Sequence, residues 1–209
     1  RQMCIRDRRG ITHVPAAGIA ALLLGPGTKV TYAAMALLGD SGVSVVWVGE
    51  KGVRYYASGR SLSNSSAAAE AQASIVSNQR RRLFCARQMY AMRFPGEDIS
   101  RATMAQLRGR EGSRMKKVYL AEAERTGVPW KKRMYDPQNF SSGDPINRTL
   151  TAANAALYGV AHAVIASLGF IPSLGVIHQG TERAFVYDIA DLYKAEVSIP
   201  AAVSYTHLR

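Results

Sequence analysis

Asp188 and Asp191 are placed to hold a cation, because residues three apart on a helix share one face and two like charges there repel unless something positive offsets them. Ten residues before Asp188, His178 closes the apolar run Ser173-Leu174-Gly175-Val176-Ile177 and precedes Gln179-Gly180, a turn signal. The spacing predicts an imidazole held at the end of a buried segment. Glu111 stands between Arg110 and Gly112 in a strongly basic helical stretch. Carboxylate oxygens with one imidazole suit magnesium or manganese, whereas zinc favours several His or Cys. Taken alone the signal is weak: a lone His is more often a satisfied core or surface group, and Asp-x-x-Asp more often faces solvent. The rest of the chain has to bring these side chains together.

Other familiar chemistry is absent. Gly25-Pro26-Gly27-Thr28-Lys29 lacks the G-x-x-x-x-G-K-[ST] spacing that surrounds a phosphate with successive N–H groups, and reads as a turn. No G-x-S-x-G, zinc-finger or H-E-x-x-H pattern occurs. The chain has 209 residues, with 27 Lys and Arg against 15 Asp and Glu, a net charge of +12. A field of that sign and size favours a polyanionic partner, nucleic acid before an anionic membrane surface. Two cysteines, Cys4 and Cys85, build no disulfide framework, so a reducing compartment is expected. No secretory leader is evident at the N-terminus. The uncharged stretch Leu150 to Ile177 exceeds the ~20 residues of a membrane span. Its polar residues, with Gly169 and Pro172, argue instead for a buried helix that breaks near Gly169.

The elements that must position these residues divide by composition into an α+β chain, with a small N-terminal β-domain followed by an all-helical domain. Ile11 to Gly59 reads as β-structure, with an apolar run Gly18–Leu24 and a hairpin pairing Val43–Gly49 with the strand from Val53. A short helix, Tyr32 to Leu38, lies between strands. The polar segment 61–66 is a linker. Beyond it one helix is expected from Ala67 to about Phe94, a second after Ser100, and a longer one through Gly109-Arg110-Glu111 to Gly127. Val128 to Ser142 reads as a loop. Asp144-Pro145 is a strong helix start, because Asp caps free N–H groups and Pro fits the first turn. A last helix begins near Tyr187.

The strings PGTKVTYAA, VVWVGEKGVRYYASG, QLRGREGSR, RMYDP, INRTLTAANAALYGV and FVYDIADLYK stand in an order and spacing that resemble the CRISPR-associated integrase family of spacer acquisition, CRISPR-associated protein one, in its type I-E form. The likeness runs from about Gly10 to Ala202. It implies an N-terminal β-domain over residues 9–60, the 61–66 linker, and a helical catalytic domain over 67–202. By motif it implies Glu111, His178 and Asp191 as ligands of one magnesium or manganese ion, with Asp188 as a further required acid and Tyr158 as an aromatic residue near the active site. Lys29, Arg54, Arg82, Arg108 and Arg133 match DNA contacts, and Tyr135 a second aromatic position. The implied activity is a metal-dependent DNA endonuclease and integrase. Its expected partners are double-stranded and branched DNA, CRISPR-associated protein two and a second copy of the chain, with no membrane, in a prokaryotic cytoplasm. Residues 1–8 and 203–209 resemble translated adapter sequence, so the family's first strands and last helices are expected to be missing. The competing reading is a non-catalytic basic DNA-binding module.

Overall fold

In a computed structural model of the chain, residues 2–19, 21–49, 55–58, 65–130, 132–134 and 143–207 are described. Arg54, Tyr135 and most of the 61–66 linker lie outside them.

The N-terminal part forms two small sheets. Strands β1 (Gln2–Asp7) and β2 (Gly10–Pro15) make an antiparallel hairpin in the register Gln2↔Pro15. Residues 1–8, set aside above as an artefactual end, are therefore folded over Gln2–Asp7. The second sheet has the order β3 (Ala21–Leu24), β4 (Ser44–Val48), β5 (Tyr55–Ser58), parallel and then antiparallel. The expected hairpin is the β4–β5 pair. The apolar run from Gly18 enters a strand only at Ala21, because Ala16–Gly18 first close a 3-10 turn. Between β3 and β4 lies α1 (Tyr32–Asp40), capped by Thr31 Oγ1, which accepts from the Ala34 N–H. Leu24, Leu38, Val43 and Val45 fill the space between this helix and the sheet.

The helical part departs from expectation in two places. A single helix from Ala67 to Phe94 is instead α2 (Ala67–Ser77) and α3 (Gln79–Arg93). Asn78 divides them: its backbone is extended, and its Oδ1 accepts from the Arg80 and Arg81 N–H groups, which starts a new helix. Conversely, the two helices expected between Ser100 and Gly127 are one, α4 (Met104–Thr126). Its start is a reciprocal capping box of Thr103 and Gln106, and it ends at Gly127, whose φ of 70° needs no Cβ penalty. Gly109 and Gly112 do not break it.

Helix α5 (Pro145–Ser167) starts at Asp144 as expected and gives way to a turn at Gly169. It alone among the described helices is long and apolar enough to cross a membrane. It is instead built into the fold, against β4 on one side and against α6 (Ala184–Tyr193) and α7 (Ile199–His207) on the other. The buried polar side chains Asn147, His162 and Ser167 fit a protein environment better than lipid. One π-helical turn, Lys194–Ser198, joins α6 to α7. Ile199, Ala202 and Val203 pack on Trp130, Ile146 and Leu150, so Val203, placed above in the artefactual end, belongs to the core.

His162 supplies a test of this packing. Burial, reinforced by the Arg183 guanidinium, lowers its pKa to about 4. Between that value and the ordinary ~6.5 the unfolded chain binds the extra proton and the folded one does not, so stability is present above pH ~6.5 and declines on acidification toward about 4. The loss expected over this window is about 3 kcal/mol. Urea midpoints measured across it should fall for the parent chain and fall less for His162→Gln. Parallel declines would show that His162 is not the group responsible.

Candidate active site

The site lies where α3, α4 and α6 meet beneath the loop that follows α5. Packing of Tyr90, Leu107, Ile165, Val176, Phe185 and Val186 fixes these three helices against one another. The loop is tied down from below by Gln72 of α2. This buried amide donates to the Ile171 and Leu174 carbonyls at 2.9 and 2.7 Å, and accepts from the Ile171 N–H at 2.8 Å.

Asp188 organises the next stretch of the same loop. It is 1% exposed, and both carboxylate oxygens are engaged. Oδ2 accepts from the Val176 and Ile177 N–H groups at 2.5 and 3.0 Å, while Oδ1 accepts from the His178 N–H at 2.9 Å and faces His178 Nδ1 at 2.8 Å. An acceptor-only carboxylate requires the proton on Nδ1, which leaves Nε2 as the nitrogen able to ligate. The hydrogen bond to Asp188 also raises the His178 pKa, against the opposing effect of burial. Asp188 thus reaches the site through His178.

Glu111 and Asp191 are joined by one guanidinium. Arg93 Nη1 contacts Glu111 Oε1 and lies 3.4 Å from Asp191 Oδ2. The other Glu111 oxygen accepts from Tyr90 Oη at 2.8 Å, and Asp191 Oδ1 pairs with Lys194 Nζ at 2.5 Å. Burial by itself would lower the Lys194 pKa, but Asp191 and Tyr158 outweigh it and raise it. Lys194 Nζ also sits 5.1 Å from the Tyr158 ring centre, and Tyr158 packs edge-on against Tyr187, itself 5.8 Å from the His178 ring. Glu111 and His178 line a shared open cavity of about 320 Å³ with Arg108, Ile177 and Gln179.

The structure thus gathers Glu111, His178, Asp188, Asp191 and Tyr158 in one region, but among the described residues no three His, Cys, Asp or Glu side chains stand together as a ready metal cluster. Arg93 lies between the two carboxylates. The donor set still fits a hard divalent ion: two carboxylates, and an imidazole whose tautomer is fixed by a carboxylate behind it. The chain's own cations, Arg93 and Lys194, show that positive charge is stabilised at this spot.

The predicted DNA-contact residues are dispersed. Lys29 is exposed in the turn before α1. Arg82 Nε donates to the Val176 carbonyl at 2.6 Å, and Arg108 Nη2 donates to the Ile177 carbonyl. Arg133 binds the first turns of α5 through Asn147 and Thr151, at 3.2 and 2.8 Å. Sequence reasoning missed Tyr90, Arg93, Lys194 and Gln72. Only Lys194 carried a signal, standing three residues beyond Asp191 on the same helical face.

The family model described as CRISPR associated protein Cas1 matches residues 1–97. A protein named CRISPR-associated endonuclease Cas1, from Clostridium sp. (strain SY8519), is 55% identical over 198 residues, which is 95% of this chain and 66% of that relative. The chain thus spans just under two thirds of the relative's length. The crystal structure of a TtCas1–DNA complex superposes with a TM-score of 0.80 at 45% identity, covering 99% of this chain and 77% of that one. A partial Cas6-RT-Cas1–Cas2 complex shares the fold with a TM-score of 0.68 at 18% identity, over 99% of this chain and 71% of its own.

Proposed function

The chain belongs to the Cas1 family of CRISPR-associated proteins, and from that premise we propose that it is a metal-dependent DNA endonuclease and integrase that inserts captured DNA fragments into a CRISPR array. The observation that supports this reading is that Glu111 and His178 line one open cavity while Arg93 joins Glu111 to Asp191, on a strongly basic protein. These three side chains would hold magnesium or manganese. Such an ion, when bound, polarises a phosphoryl oxygen and stabilises charge on the attacking and leaving oxygens of the displacement.

The chain's own groups divide the remaining work. Asp188 holds the proton of the neutral imidazole on His178 Nδ1, so Nε2 is the nitrogen that form offers to an ion. Tyr90 aims one Glu111 oxygen, leaving the other for Arg93 or an ion. Arg93 and Lys194 balance the acids when no ion is present, and offer cations to a phosphate when one is. Tyr158 packs around Lys194 and limits water on that side. Counterion release from DNA supplies affinity without sequence preference. DNA, protein Cas2 and a second copy of the chain are the partners this reading carries over. Support for the first two comes from relatives whose solved complexes contain DNA and Cas2. A prokaryotic cytoplasm is the setting that goes with them.

Branched DNA incubated with the protein and Mn²⁺ should be cleaved, and chelator should stop cleavage while binding persists. Cleavage that continues at full rate in chelator would overturn the metal-dependent reading. Binding with no cleavage under any divalent ion would favour the non-catalytic module.

A further inference from the structure

We propose that Arg82 and Arg108 are positioning residues for His178, gripping the carbonyl side of the loop whose amide side Asp188 holds; the functional part of this rests on reading His178 as a metal ligand. Three consecutive N–H groups, those of Val176, Ile177 and His178, point to Asp188 of α6. The carbonyls of Val176 and Ile177 receive Arg82 of α3 and Arg108 of α4. Three helices far apart in sequence thus bond both polar groups of two adjacent residues in a segment with no ladder of its own. Buried backbone groups need partners, and here charged side chains supply them where a strand neighbour ordinarily would.

The arrangement places two guanidiniums close together, which electrostatics alone disfavours. Burial and then the Arg108 charge draw Arg82 below the ordinary arginine pKa, while Asp188 across the loop opposes them. Like charges held side by side against adjacent carbonyls are explained by the carbonyls they bond. A role limited to DNA leaves that unexplained. The same two side chains can still face phosphate, so one substitution would disturb both DNA contact and the imidazole. The two effects separate when DNA is left out.

The test uses DNA-free protein with Arg82→Met, Arg108→Met and the charge-keeping Arg82→Lys and Arg108→Lys. Two quantities are read: hydrogen exchange of the Val176, Ile177 and His178 amides without metal, and Mn²⁺ affinity by the paramagnetic signal of free Mn²⁺. Each Met variant is expected to speed exchange about 10-fold and to weaken Mn²⁺ about 10-fold, the scale of losing a partner that orients a ligand. Removing a cation beside an ion site strengthens ion attraction, so weaker binding has the opposite sign to the charge effect. The Lys variants keep charge and a donor and should fall between Met and the parent, which also preserves the comparison if a Met variant fails to fold. Unchanged exchange, or Mn²⁺ affinity unchanged or tightened, would overturn the proposal and leave both residues as DNA contacts. A parent chain that bound no Mn²⁺ would overturn the metal reading, and the exchange comparison would then decide the grip by itself.

Discussion

Asp191→Ala is expected to lower DNA cleavage and strand transfer by at least ~100-fold, the upper range for groups that set a metal site, while DNA affinity stays level or rises slightly. Removing an acid from a protein with a net charge of +12 raises its net charge, so phosphate attraction and its salt dependence persist. The local change is larger than the global one. Asp191 faces both Arg93 and Lys194, so its loss leaves Arg93 with Glu111 as its remaining carboxylate and takes from Lys194 the carboxylate it pairs with. Those freed cations favour phosphate over a divalent ion, which drives binding and activity in opposite directions. Asp191→Asn keeps the shape and removes the charge, and should behave alike if charge is the cause. Cleavage of branched DNA and duplex affinity, measured side by side, check the split. Unchanged cleavage in both variants would remove Asp191 from the site.

Gly175→Ala is expected to cost stability and activity together. A Cβ at Gly175 would stand 2.8 Å from Ala184 Cβ and deep inside van der Waals contact with the His178 carbonyl oxygen. Neither neighbour is the far end of a flexible side chain. Ala184 begins α6, and the His178 carbonyl belongs to the loop that presents the imidazole, so something fixed has to move. Overpacking of this kind costs about 1–3 kcal/mol, and here the displaced group is the candidate ligand itself. Urea unfolding and Mn²⁺ affinity should both worsen. Gly169→Ala is the comparison, since it strains the backbone at φ 79° at the end of α5, away from His178. It should lower stability and leave Mn²⁺ affinity nearly unchanged. Full stability and ion binding in Gly175→Ala would mean the loop has slack that the packing denies.

Local signals were legible where the chain decides matters within a few residues. Asp144-Pro145 announced α5, and Gly127 the end of α4. Asn78 was a legible cap overlooked inside a helical pattern, and the Thr103–Gln106 capping box starts one helix where two were expected. Glu111, His178, Asp188 and Asp191 were readable as a set chiefly through family likeness, since spacing links only the two aspartates. Division of labour among them was not readable. That Asp188 spends both oxygens on a loop, that Arg93 lies between Glu111 and Asp191, and that Arg82 and Arg108 turn to carbonyls all depend on contacts ten or more residues apart in the chain, the longest 98. No periodicity encodes those.

Helix α5 touches β3, β4 and β5 on one side and α6, the π-turn and α7 on the other. It is a party wall: the two halves that composition separates lean on the same timber, with Val46, Val48 and Ala163 set into one seam. Neither half keeps its inner surface dry once that helix loosens, so thermal damage on the sheet side does not stay there. The one helix that presents Asp188 and Asp191 loses its backing in the same event, so heat is expected to disable the site by felling the wall behind it.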